Sequence, residues 1–232
     1  MRILFLGDIV GRPGRQAITR LLPRLKTEWE LDCVVANAEN ASGGIGLTAK
    51  NARQLHDIGL DVLTSGNHIW KHKDVFPCLE SKAWLLRPAN YPPGVPGRGW
   101  SIYTLPKGRL AVINLLGRIF MDRIDCPFRV VESILTQVEN QTRHIVVDFH
   151  AEATSEKKAL FYALSGRVSA VIGTHTHVPT ADAQISSEQT AYISDVGMCG
   201  PYHSVIGMDP EPILKRFRTG LPQPFTEIGR AH

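Results

Sequence analysis

The stretch MRILFLGDIVG, residues 1–11, holds an apolar run from Arg2 to Leu6 that stops abruptly at Gly7-Asp8. So short a run, closed by a glycine and an acid, reads as a buried parallel strand. Its basic start and apolar middle look like a leader peptide. The run is too short for one, however, and no small-residue cleavage site follows. Pro13 suits the first turn of a helix, and the amphipathic pattern predicts one through about Trp29. Cys33 to Ala36 predicts a second strand, Thr48 an N-cap for a helix reaching His56, and Asp61 to Leu63 a third strand. This β-α-β-α-β alternation predicts a parallel sheet flanked by helices.

Further along, a helix is expected after Lys71. Residues 87–99, rich in Pro and Gly, read as a long surface loop. Trp100 to Leu105 and Leu110 to Leu115 form a hairpin pattern around Lys107-Gly108, which begins a second sheet. A helix from Phe128 to Val138 leads to a strand from Ile145 to Phe149. A helix from Lys157 to Leu164 leads to a strand from Val168 to Ile172. A strand from Ala191 to Ser194 and a helix from Glu211 to Arg218 complete the pattern, and Glu227 to His232 has no periodicity. With two sheets between helical layers, loops at the carboxyl ends of the strands converge on one edge.

Composition bounds the function. At 232 residues and 43% hydrophobic, the chain can bury a full core as one α/β domain. A net charge of +4 and a pI near 8.9 suit a phosphate-bearing substrate, but there is no basic run or aromatic-rich β-motif for extended nucleic acid. Cys33, Cys78, Cys126 and Cys199 lie far apart without a CxxC pair, which fits reduced cysteines in a cytoplasmic protein. No apolar stretch approaches membrane-spanning length.

The chemistry-bearing residues recur just after strand ends: Asp8, Glu39-Asn40, Asn67-His68, His150 and His175-Thr176-His177. Carboxylate, amide and imidazole donors together suit borderline divalent metals. The two histidines of Gly173-Thr174-His175-Thr176-His177 are two residues apart in an extended loop, so they point the same way and can chelate. An HxH pair also occurs in amidohydrolase barrels, but there it follows the first strand, whereas here an acid does. One cleft with two metals points to phosphate-ester hydrolysis. Arg12, Arg15 and Arg118 are candidate phosphate-facing cations.

In this order the motifs resemble those of the calcineurin-like metallophosphoesterases, and most closely the YmdB-like phosphodiesterase branch. The resemblance is carried by Gly7-Asp8-Ile9-Val10-Gly11, Asn37-Ala38-Glu39-Asn40, Ser65-Gly66-Asn67-His68, Asp148-Phe149-His150-Ala151-Glu152, Gly173 to His177, and Asp195-Val196-Gly197-Met198. It spans the chain from the first strand to about Met208. Two positions depart from the broad superfamily: Val10 replaces a usual histidine and Glu39 a usual bridging aspartate. Both match the YmdB-like branch.

The resemblance implies a four-layer α/β/β/α sandwich of two mixed sheets, with residues 1–232 as a single metallophosphoesterase domain. It implies two divalent ions, iron or manganese first and zinc or magnesium next. Asp8, Glu39 and His177 would hold one, with Asn40 as an extra ligand. Asn67, His150 and His175 would hold the other, with Glu39 bridging. The implied reaction opens a 2′,3′-cyclic nucleotide at its 2′ ester to give the 3′-nucleotide, a metal-bridging hydroxide attacking and His68 acting as general acid. A phosphomonoesterase or protein phosphatase on the same centre, or a nucleotide-binding regulator with little turnover, are the alternatives. Association into a homo-oligomer is also compatible with the sequence.

Overall fold

The computed structural model describes residues 1–224, Thr226 and Ile228. The unplaced tail from Glu227 to His232 lies, Ile228 aside, outside the described residues. The elements alternate as the sequence predicts: β1 (Ile3–Leu6), β2 (Asp8–Ile9), α1 (Gly11–Glu28), β3 (Cys33–Asn37), α2 (Ala49–Asp57) and β4 (Val62–Thr64). Then follow α3 (Phe76–Ser81), β5 (Trp100–Leu105), β6 (Gly108–Leu116), α4 (Pro127–Val138), β7 (Ile145–His150), α5 (Thr154–Leu164) and β8 (Ala170–Thr174). The last elements are β9 (Gln184–Ile185), β10 (Ala191–Ile193), β11 (Met198–Cys199) and α6 (Pro210–Thr219). Thr48 caps α2 as expected, its hydroxyl accepting from the Asn51 amide at 3.3 Å.

β1, β3 and β4 form a three-stranded sheet in which every pairing is parallel. The larger sheet runs β5-β6-β7-β8-β10-β9 and is the mixed one, with antiparallel pairs at its two edges and parallel pairs between. The short parallel pair β2 and β11 was not visible in the sequence.

Alternation along the strands explains the four layers. In β3, Val34 and Ala36 pack toward α1 and α2 with Ile18, Leu22 and Leu55, while Cys33 and Val35 face the other way. In β6, Ala111, Ile113 and Leu115 pack toward α4 and α5, while Leu110 and Val112 meet Cys33, Val35 and Val62. The two sheets are thus sealed by a dry seam, with a helical layer outside each.

The helix expected after Lys71 is α3, reached through two 3-10 turns, Asn67–Lys71 and Lys73–Val75. One expectation is corrected. The stretch 87–99 is not all surface: Arg87, Pro88 and Asn90 are buried. Asn90 stitches it down, donating to the Leu116 carbonyl at 2.8 Å and accepting from the Leu116 amide at 2.9 Å. A Pro- and Gly-rich composition forecasts irregular backbone, and a buried asparagine can satisfy that backbone in place of water. Among the described residues no helix is long and apolar enough to cross a membrane.

Candidate metal centre

The seam between the sheets changes character at its carboxyl end. The faces that carry Val35, Val62, Val112, Val146 and Ile172 continue, two residues on, as Asn37, Thr64, Asn114, Asp148 and Thr174, all fully buried. Buried polar groups must pair, and these do. Asp148 accepts from the Thr64 and Thr174 hydroxyls and from Asn37 Nδ2, the last at 3.2 Å. Asn114 exchanges two 2.9 Å bonds with the Ser65 backbone, fixing the start of the Asn67-His68 segment. Burial pushes the Asp148 carboxyl up to about 6.

This network sets the imidazoles. Thr174 gives its proton to Asp148 at 2.7 Å, so its oxygen accepts from His150 Nδ1 at 2.9 Å. His150 then presents the Nε2 electron pair to Glu39 Oε1 at 3.1 Å and to His175 Nδ1 at 3.0 Å. His175 Nε2 sits 3.0 Å from Glu152 Oε2, which leaves the Nδ1 pair facing His150. His177 Nδ1 donates to the Ile206 carbonyl at 2.8 Å, and its Nε2 lies 3.8 Å from Asp8 Oδ1. A ring N–H held by an oxygen on the far side is the arrangement that orients histidines for metal binding.

The donor set fits divalent cations. One ligand atom each from Glu39, His150 and His175 lies within 4.8 Å of the others. Burial alone would lower His150, but Glu39 and Asp8 beside it raise it to about 9. Burial and neighbouring His150 push His175 down to about 3. Asp8 and Glu39 are buried, and burial raises the Asp8 carboxyl. Asp8 Oδ2 accepts from the His175 amide at 3.0 Å, yet Asp8 Oδ1 and Asn67 Oδ1 are buried with no hydrogen-bond partner. Asp8 Oδ1, orphaned 3.8 Å from His150 Nδ1 and from His177 Nε2, is a hard oxygen that a cation would satisfy.

His68 stands at the rim. Its Nδ1 lies 2.8 Å from Asn40 Oδ1 and 3.1 Å from Glu39 Oε1, and its amide donates to Glu39 Oε2 at 3.0 Å. The hydrogen bond to Glu39 raises its pKa. Asn40 therefore orients His68 with its oxygen, while its Nδ2 faces Glu39 Oε1 at 3.1 Å and His177 Nε2 at 3.2 Å. The geometry thus gives Asn40 a positioning role toward His68.

Asp8, Glu39, Asn40, His68, His150, His175 and His177 gather at one site through these contacts, and Asn67 opens the 3-10 turn that carries His68, but the arginines do not join them. Arg15 bonds the Ala41 carbonyl, Arg118 contacts Cys126 Sγ at 3.4 Å, and Arg12 is exposed on α1. None lines the cavity of about 590 Å³ above the centre, whereas Arg216 does. The sequence reading missed Arg216 because it lies on a helix far from any motif.

A buried ion pair supports the histidine loop. Lys157 Nζ meets Asp195 Oδ2 at 2.9 Å with both side chains 1% exposed, and Asp195 also accepts from the Thr176 and Gly197 amides at 3.0 and 2.8 Å. These bonds flank His175 and His177, whose φ angles of 104° and 66° lie in the left-handed region. Lys157→Met keeps the volume but leaves Asp195 a buried unpaired charge. Urea unfolding should show a loss of about 3–5 kcal/mol. A loss under about 1 kcal/mol would mean that the amides alone stabilise Asp195.

The chain matches the family described as YmdB-like protein over residues 4–231. It is 49% identical to the 2′,3′-cyclic-nucleotide 2′-phosphodiesterase of Bacillus subtilis over 226 residues, 97% of this chain and 86% of the relative. Among solved structures, a hypothetical protein from Thermus thermophilus superposes with a TM-score of 0.93 at 47% identity, covering 98% of this chain and 88% of that one. A novel phosphatase from Mycoplasma pneumoniae superposes with a TM-score of 0.92 at 37% identity, covering 98% and 83%. With the family matched from β1 almost to the end of the chain, this protein belongs to the YmdB-like family.

Proposed function

We propose that residues 1–232 are a single metallophosphoesterase domain that hydrolyses 2′,3′-cyclic nucleotides at the 2′ ester, giving 3′-nucleotides. The observation that carries this reading is the convergence of the His150 and His175 imidazoles on Glu39, beside the buried and unpartnered Asp8 Oδ1. It is supported by the activity for which the Bacillus subtilis relative is named. Asp8, Glu39 and His177, with Asn40 alongside, hold one divalent ion. Asn67, His150 and His175 would hold the second, with Glu39 shared by both sets. When bound, two such ions draw charge from the phosphoryl oxygens and bring the pKa of a water toward neutrality.

The side chains supply the rest. His68 Nδ1 is taken by Asn40 and Glu39, so the proton that His68 delivers to the departing 2′ oxygen leaves from Nε2. The hydrogen bond to Glu39 raises the His68 pKa, which favours the protonated form that a general acid needs. The buried floor excludes bulk water and holds every donor in place before substrate arrives.

A monoester dianion calls for more positive charge than a diester monoanion. Among the described residues lining the cavity, Arg216 is the one Lys or Arg, which favours the diester. The test is to load the protein with manganese, supply 2′,3′-cyclic AMP and separate the products. The expected product is 3′-AMP, abolished by a chelator. No turnover with two metals verified per chain would exclude the substrate, and 2′-AMP would reverse the bond assignment.

A further inference from the structure

The cavity above the centre has two unlike halves. Its floor is Glu39, His68, Glu152, His175 and His177, while one wall is apolar, formed by Ile45, Ile206, Met208, Ile213 and Phe217. Phe217 is 81% exposed and Ile206 50% exposed. Apolar side chains left open beside a polar site mark a surface that a ligand covers. The wall is built in, not draped. Ile213 is buried and lies one helical turn before Phe217 on the same face of α6. Ile206 is tied to the floor because its carbonyl accepts from His177 Nδ1.

A cyclic nucleotide carries its charge at the phosphate and a flat, largely apolar base a few ångströms away. With the phosphate on the floor, the base is the part that matches the wall. Resting on the diesterase reading above, we propose that Phe217 and Ile206 form the nucleobase subsite, holding the base by its faces and leaving its edges unread. Strong base discrimination requires buried polar groups that pair with base edges. The side chains of this wall supply none apart from Arg216. Face contact is tolerant, since every base has a π-face.

The test compares two substrates that share a sugar and a cyclic phosphate. One is 2′,3′-cyclic AMP, and the other is methyl riboside 2′,3′-cyclic phosphate, with a methyl group in place of the base. In the manganese-loaded wild type, kcat/KM for the four cyclic nucleotides should agree within about tenfold, and all should exceed the methyl riboside. Phe217→Ala should lower the ratio of adenosine to methyl-riboside kcat/KM by about tenfold, mostly through KM. Phe217 is exposed, so the variant should fold.

Cleavage of both substrates with an unchanged ratio in Phe217→Ala would overturn the subsite while leaving the diesterase intact. An altered oligomeric state with an unchanged ratio would instead assign the wall to chain association. Should neither substrate be cleaved, the diesterase reading fails, and calorimetric binding of 3′-AMP still decides the subsite. Equal affinity of wild type and Phe217→Ala would overturn it, and a loss of about tenfold would uphold it.

Discussion

Replacing His68 by alanine should lower kcat on a 2′,3′-cyclic nucleotide by about a hundred- to ten-thousand-fold while both metal ions stay bound. Retention of metal follows from how the segment is attached. Glu39 Oε2 accepts from the backbone amide of His68, not from its ring, and that bond survives the truncation. The ring is half-exposed, so its removal empties no core. What disappears is the proton at Nε2 and, with it, a neutral leaving group. The loss should therefore depend on the ester. With a 4-nitrophenyl diester, whose leaving oxygen needs no proton, His68→Ala and the wild type should differ by only a few-fold. The wild-type rate should fall on the alkaline side as His68 deprotonates, and the variant should lack that limb. Equal losses on both esters, or loss of metal from the variant, would move His68 from proton donor to structural support.

The candidate donors were legible because each closes or soon follows an apolar run, where a polar residue is carried to the edge of the sheet. The two-sheet architecture was legible from element order, since helices between short apolar runs force parallel pairing. What escaped was the machinery that aims those donors. Asn37, Thr64, Asp148 and Thr174 sit on strands, each two residues beyond an apolar neighbour, and carrying the alternation to the strand ends would have shown them on one face. That they meet across the seam depends on how two sheets stack, as where Asn37 of β3 donates to Asp148 of β7, which no local pattern encodes. The pair β2 and β11 was hidden for the same reason. It joins Asp8 to Met198 across most of the chain, over two residues each. Phe217 and Arg216 lie on a short helix that carries no motif, and the packing of Ile213 is what brings that helix to the site.

Gly66→Ala should abolish metal binding and activity together, although the substitution adds one methyl group at a position that is not itself a donor. A Cβ built at Gly66 collides with the His150 ring at Cδ2 and Nε2 and with Glu39 Oε2. These are the nitrogen and the carboxylate about which the centre is organised, and neither can yield. His150 is fully buried and held by Thr174, while Glu39 is held by the His68 amide. The backbone itself is no obstacle, because φ at Gly66 is −146°. The effect is therefore steric, a displacement of donors by roughly an ångström, and misplacement of that size costs about a hundredfold or more in rate. Overpacking should also remove about 1–3 kcal/mol of stability. Gly94→Ala is the comparison: φ there is +90° and nothing lies within 4 Å, so it should cost about 1 kcal/mol through backbone strain and leave metal content and activity unchanged. Metal analysis and turnover on the two variants separate these causes. A Gly66→Ala protein with two metals and full activity would show that the donors stand farther from this backbone in the working enzyme than in the structure.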